Sequence, residues 1–254
     1  MQVLVCVKRV PATGARITVT DDQQRIETRN LGFTVSPHEE CAVEEAVRIV
    51  EAHGGESTVL TLGPAEATEQ LRSALAVGVE RAVLLQTDDD EWGPRATARA
   101  IVAAIGEQEA AGQSFDVLLF GNESADSGGY QVGVRVAHAL DLPIVTGVKG
   151  LEIDGGVARA RREGPNGWEV YEVALPAVFT VKEGINLPRY PSVPGRLRAK
   201  KKPIEESSPA KEAGALRKIR LVLPPEEQTD VEILGNGPDA APRVVALLQE
   251  LELV

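Results

Sequence analysis

Short apolar runs at residues 2–7, 57–62, 82–86 and 115–120 alternate with stretches whose apolar side chains recur every three or four positions. This alternation restricts the fold more than any other feature of the chain. Runs of such length, bounded by turn-forming residues, read as strands buried on both faces of a parallel sheet. Val43, Ala46, Val47 and Val50 give the first intervening helix a buried stripe, and Val132, Val136 and Leu140 do the same for the helix after the fourth run. The expected architecture is α/β: a doubly wound, mainly parallel, Rossmann-like sheet. In that order the winding reverses between the first and fourth strands, and ligands lie above their C-terminal ends.

Local signals sharpen the outline. Ser36, Pro37, His38 and Glu39 open the first helix, with Ser36 as cap, Pro37 in the first turn and Glu39 completing a capping box. Gly54 and Gly55 end it. Residues 16–20 and 25–28 predict an exposed hairpin, residues 94–110 a helix and residues 144–148 a fifth strand. Beyond Gly150 the pattern changes to a hairpin around residues 154–156, with further strands at 168–173 and 177–181. Prolines interrupt residues 183–194, residues 196–202 are basic, and a polar linker spans 203–214. Residues 217–223 predict a strand and 242–251 a terminal helix, together an extended C-terminal arm.

The fourth strand runs into Gly121, Asn122, Glu123, Ser124, Ala125, Asp126, Ser127, Gly128, Gly129, Tyr130 and Gln131, and the next helix starts near Val132. Connections of this kind usually take about 2–6 residues. A longer one, rich in Gly and Ser, brings backbone close to a ligand and offers amides at a helix start to a single phosphate. Cys6 lies across the switch point, Leu62 on the neighbouring strand forms a third wall, and the segment from Ser36 closes over the site. Lys8 and Arg9 suit either a surface pair or a contact to an anion. Asp126 is better placed for loop amides or ribose than for phosphate, which it would repel.

Other chemistries are missing. No Walker loop or complete dinucleotide fingerprint follows the first strand, and there is no nucleophile elbow. His38, His53 and His138 lack zinc-spaced partners, so no metal site is expected. The acidic turn at residues 88–91 reads as solvated surface. A net charge of −11 argues against nucleic acid as a partner. No apolar run approaches the roughly 20 residues of a membrane span. Two cysteines, Cys6 and Cys41, fit a reducing compartment, and the expected location is cytoplasmic.

Several stretches taken in order resemble the beta (small) subunits of electron-transfer flavoproteins. They are residues 3–10, Ser36-Pro37 with residues 42–48, Gly63-Pro64-Ala65, residues 74–78, the loop ending Gln131-Val132-Gly133, residues 175–178, and 185–190 with 199–202. The resemblance implies an electron carrier with no catalytic residues of its own. Its partner would be an alpha subunit that carries the redox-active FAD, shared at the interface. It implies a structural AMP held by Cys6, Ser36–Glu39, Leu62 and the loop from Gly121 to Val132. It implies docking on flavin dehydrogenases such as acyl-CoA dehydrogenases through residues 183–202, with Ile185 as exposed anchor beside Pro188, Arg189 and Tyr190, and delivery of electrons to a membrane-linked quinone oxidoreductase. Residues 1–203 would then be the nucleotide-binding domain and 204–254 an arm on the partner subunit.

Tyr130 and Val132 stand where many members have Asn and Thr, Gly128-Gly129 replaces bulkier residues, and Thr13 replaces a tyrosine that some members set against the flavin. Three other readings remain. One is a bifurcating member with a second FAD in place of AMP, another a universal-stress-like adenine-nucleotide regulator. The third is an adenylate-handling hydrolase, which the lack of a base–nucleophile pair disfavours.

Overall fold

In the first strand, β1 (Gln2–Val7), Val3, Val5 and Val7 enter one core while Leu4 and Cys6 enter another on the opposite face. Period-two alternation with apolar residues on both sides makes this the centre of a sheet covered twice. The computed structural model describes residues 1–12, 14–88, 91–211, 218–225 and 231–254. After β1 come a short pair, β2 (Val10–Pro11) and β3 (Phe33–Thr34), then α1 (Pro37–His53), β4 (Glu56–Gly63), α2 (Thr68–Val77) and β5 (Arg81–Gln86). They are followed by α3 (Pro94–Ala110), β6 (Val117–Gly121), α4 (Val132–Ala139), β7 (Ile144–Asp154), β8 (Val157–Gly164) and β9 (Gly167–Ala174). The last elements are β10 (Ala177–Val181), α5 (Val193–Lys201), β11 (Glu205–Ser207) and α6 (Ala241–Glu250).

Among the described residues the main sheet has nine strands in the order β11-β5-β4-β1-β6-β10-β7-β8-β9. Pairing is parallel from β11 to β7 and antiparallel through β7, β8 and β9. α1 and α2 cover one face, where Ala42, Ala46, Leu71 and Leu75 meet Val5 and Val59. α3 and α4 cover the other, with Ile101, Ile105 and Val136 against Leu4, Leu60 and Leu118. The switch point falls between β1 and β6, as the alternation requires.

α1 begins as its sequence dictates. Ser36 caps it from an extended conformation, its Oγ accepting from the Glu39 amide at 3.4 Å while the Glu39 carboxyl accepts from the Ser36 amide at 2.9 Å. Gly54, at φ 69°, closes the helix by donating to the Val50 carbonyl.

Some expectations change. The strand after β6 in the sheet is β10, not the next in sequence, and β7 lies one place further out. In the hairpin at residues 16–28 the only bridge pairs Val19 with Ile26. The strand expected at 217–223 is absent from Lys218 to Leu223, and Arg217 lies outside the described residues. That stretch meets the tip of the hairpin, where the Leu221 amide donates to the Gln23 carbonyl at 2.8 Å and Gln24 Nε2 to the Ile219 carbonyl at 3.0 Å, and Lys218 Nζ pairs with Glu91 at 2.8 Å. With no sheet edge beside it, it has no ladder to join. The basic run becomes α5, capped by Ser192 whose Oγ accepts from the Gly195 amide at 3.1 Å. Among the described residues no helix is long and apolar enough to cross a membrane.

Candidate functional site

At the C-terminal end of β1 the register sets Cys6 beside Leu60 of β4 and Phe120 of β6. The loop from Gly121 to Gln131 rises from β6 directly over the start of α1. Gly121 is required there, because a Cβ would stand 2.6 Å from Glu39 Cγ and 3.3 Å from the Glu39 amide nitrogen. Loop and helix start are tied further by Ser36 Oγ, which donates to the Glu123 carbonyl at 3.3 Å. The structure therefore brings Cys6, Ser36, His38, Glu39 and the loop together. Pro37 is exposed at the start of α1, and Leu62, half-buried on β4, borders the cluster from the side.

Each carboxylate near the loop has a defined partner. Lys8 Nζ lies 2.6 Å from Asp126 Oδ2, and Asp126 Oδ1 accepts from the Ser127 amide at 2.8 Å. Desolvation works to raise the Asp126 carboxyl, but the hydrogen bond and charge of Lys8, with Ser124 and the Ser127 amide, hold it below its ordinary value. Asp126 thus takes a loop amide, as its charge demanded. The other cation of the pair is engaged elsewhere: the Arg9 guanidinium stacks 3.4 Å above the Phe33 ring.

His38 joins the loop to the segment after β10. Its Nδ1 accepts from the Glu183 amide at 2.8 Å, and its Nε2 lies 3.2 Å from Glu123 Oε1. Acceptance at Nδ1 assigns the ring proton of the neutral imidazole to Nε2, which donates to Glu123. Glu123 also takes the Tyr130 hydroxyl and thereby raises that phenol. Asn122 is fixed beneath: Thr180 Oγ1 donates to its Oδ1 at 2.8 Å and accepts from the Gly147 amide at 3.0 Å. Thr180, Gly147 and Glu183 were not singled out by the sequence, since their contribution arises only when β10 lies beside β6.

The free donors lie at the loop's far end. The Gly128 amide donates to the Ser124 carbonyl at 3.0 Å, whereas the amides of Gly129, Tyr130 and Gln131 find no acceptor among the described residues. Gly128 and Tyr130 adopt φ of 53° and 52°. Ser124 Oγ and Ser127 Oγ are 2.9 Å apart, leaving hydroxyls near the same amides. Exposed amides just ahead of α4 suit a phosphate, with the helix dipole adding to the attraction. Thr13 lies outside the described residues. No group of three or more His, Cys, Asp or Glu among the described residues is arranged to hold a metal.

Glu39 and Cys6 form the buried floor. Burial pushes the Glu39 carboxyl up to about 7 against the pull of the Ser36 hydrogen bonds and of Lys8. Burial, reinforced by Glu39, raises the Cys6 thiol, which stays protonated. Because the folded Glu39 value exceeds the unfolded 4.5, its contribution to stability is complete below about pH 4.5 and is lost as pH rises through about 7. Glu39→Gln keeps an acceptor for Ser36 without the charge. Relative to the native chain it should gain on the order of 2–3 kcal/mol between pH 5 and pH 8 in urea unfolding. Parallel pH profiles for the two proteins would contradict the buried ionisation.

The segment expected to dock is anchored to α1. Asn186 Nδ2 donates to the Cys41 carbonyl and to Glu45 Oε2, both at 2.9 Å. Ile185 is consequently half-buried and packs against the core under α1, so it is not an exposed anchor. The exposed apolar side chains of this region are Leu187 at 90%, Tyr190 at 95%, Val193 at 73% and Leu197 at 58%. Pro188 is half-buried beside them, and Arg189 is engaged by Glu44 and Glu51.

Comparison with known proteins agrees with this geometry. The Electron transfer flavoprotein domain profile matches residues 25–212. The Electron transfer flavoprotein subunit beta of Bacillus subtilis is 34% identical over 258 residues, covering 98% of either chain. The protein of the same name from Syntrophomonas wolfei is 36% identical over 92% of this chain and 90% of its own. That of Mycobacterium tuberculosis is 36% identical over 80% and 77%. A profile that takes in the sheet from β4 onward, the loop and the anchored segment, with relatives aligned along most of their length, leaves one assignment: this chain belongs to the electron transfer flavoprotein family, among its beta subunits.

Proposed function

We propose that this chain works as the smaller half of a two-chain cytoplasmic electron carrier, beside an alpha subunit that holds a redox-active FAD. The supporting observation is the C-terminal arm. Val222, Leu223, Val231 and Ile233 are 67, 53, 85 and 75% exposed, and α6 buries no residue although Val244, Val245, Leu247 and Leu251 give it an apolar side. A helix of this kind is ordered by burying that side. Residues 204–254, after adding β11 to the edge of the sheet beside β5, thus serve as the arm on the alpha subunit and residues 1–203 as the nucleotide-binding domain. A lone regulator of the universal-stress type has no use for such an arm.

The loop supports AMP as this chain's own nucleotide. Amides of Gly129 to Gln131 at the start of α4 would take its single phosphate, with the adenine near Cys6 and the Ser36–Glu39 turn closing the site. No lysine of Walker type stands ready for further phosphates, since Lys8 is paired with Asp126. The FAD of the partner would supply the electron chemistry, while this chain encloses, orients and docks. Flavin dehydrogenases would meet the exposed face of Leu187, Tyr190, Val193 and Leu197, and a quinone oxidoreductase would receive the electrons.

The test is co-purification with the alpha subunit, denaturation and chromatography of the released nucleotides. One FAD and one AMP per heterodimer is the expected result. Two FAD without AMP would assign the chain to the bifurcating class, and no adenine nucleotide beyond one FAD would remove the loop's role.

A further inference from the structure

On the sheet face covered by α3 and α4, a half-open cleft of about 500 Å³ lies between the N-terminal turns of α3 and the length of α4. Its size is that of a small-molecule site. Arg95 and Arg99 project from one wall, one helical turn apart, and Arg135 and His138 from the other. Ala98 and Val134 supply an apolar floor, and among the described residues no carboxylate lines the cleft. This concentration of cationic and donor groups stands out in a chain of net charge −11. Arg135 is already oriented: its Nε and Nη2 donate to Gln131 Oε1 at 3.1 and 2.8 Å, a neutral acceptor that leaves its charge unbalanced. Arg95 makes no ion pair among the described residues.

We propose that this cleft binds a small organic diphosphate, with Arg95 and Arg135 holding the phosphates from opposite walls and the apolar floor taking the organic body. Guanidinium groups facing each other across a cleft can each give parallel hydrogen bonds to a phosphate, a geometry that a single surface arginine lacks. A monoanion would leave one wall unsatisfied, whereas a diphosphate engages both. His138 adds a ring donor at the mouth. The cleft borders the loop proposed for AMP, since Tyr130 and Gln131 also line it, but its arginines come from α3 and from the body of α4 and not from the loop amides.

Calorimetric titration of the purified full chain, with any subunit that accompanies it, tests this with inorganic pyrophosphate and with ADP as probes. Pyrophosphate should bind more tightly than about 1 mM, and ADP more tightly than pyrophosphate because of the floor. Arg95→Ala and Arg135→Ala should each weaken binding about tenfold, the loss of one charge-assisted contact. Arg159→Ala, on exposed β8, should leave it unchanged. The nucleotide released on denaturation should be the same from all three variants, so failure of the cleft is distinguishable from failure of the loop. Equal binding by native and Arg95→Ala proteins would overturn the proposal. So would an absence of binding with residues 95–99 and 134–139 protected from hydrogen exchange only in the two-chain complex, which would identify the cleft as a protein interface.

Discussion

Replacing Arg189 with alanine is expected to destabilise the chain by about 2 kcal/mol and to release the segment between β10 and α5. Arg189 Nε and Nη2 donate to the Glu44 carboxylate at 2.8 and 2.9 Å, and its backbone amide adds a third bond at 3.1 Å. Nη1 and Nη2 also reach Glu51 at 2.6 and 2.9 Å. The Glu44 side chain is only 7% exposed, so removing the guanidinium leaves a carboxylate in a site closed to water. The figure lies below the roughly 3–5 kcal/mol of a fully buried pair, because the Arg189 side chain is 36% exposed. Urea unfolding gives the first readout and electron uptake from a flavin dehydrogenase the second, which should slow as the segment loses its fixed position. Leu187→Ala combined with Val193→Ala separates the two effects. Both side chains are exposed, so stability should stay within about 0.5 kcal/mol while uptake slows about tenfold. Native uptake by that double variant would remove the docking role from this face.

Gly121→Ala should cost about 1–3 kcal/mol and, on the function proposed above, also loosen the hold on the nucleotide. The added methyl meets Glu39 Cγ at 2.6 Å, on a side chain that the capping box prevents from swinging aside. Either β6 or the start of α1 must give, and each displaces the loop between them. Gly106→Ala is the matched control: this helical position of α3 has open space where its Cβ would stand. That change should stabilise by about 0.5–1 kcal/mol through the unfolded chain. Equal stability of the two variants would show that the contact over Glu39 is soft.

What the sequence made legible was local. The apolar runs gave β1, β4, β5 and β6 with their order about the switch point, and Ser36 with Glu39 announced α1. Position of β10 was not legible, because its residues are apolar wherever they pair and the choice of neighbour is decided far along the chain. Ile185 looked exposed among prolines, yet the hydrogen bonds of Asn186 turn that stretch inward against α1. The basic run concealed α5, although Ser192 and Pro194 repeat the start signal of Ser36 and Pro37. β11 had no apolar signature at all: Glu205, Glu206 and Ser207 are exposed and held by ladder bonds to β5. Arg95 and Arg99 carried no signal beyond their helix, because the wall facing them comes from α4.

The insertion of β10 between β6 and β7 bears on how the protein is made. A nascent chain that has emerged as far as α4 has β6 paired to β1 on one side and bare on the other. The bare side cannot close until residues 177–181 arrive, after the whole β7–β9 meander. An uncovered hydrophobic strand edge invites pairing with other chains, so synthesis passes through a window of vulnerability to aggregation. The meander can form from neighbouring residues alone, and β7 then offers β10 a second ladder when it arrives. Slowing the emergence of residues 155–181 would therefore prolong the exposed state, whereas a pause after residue 181 has emerged would leave β6 already covered.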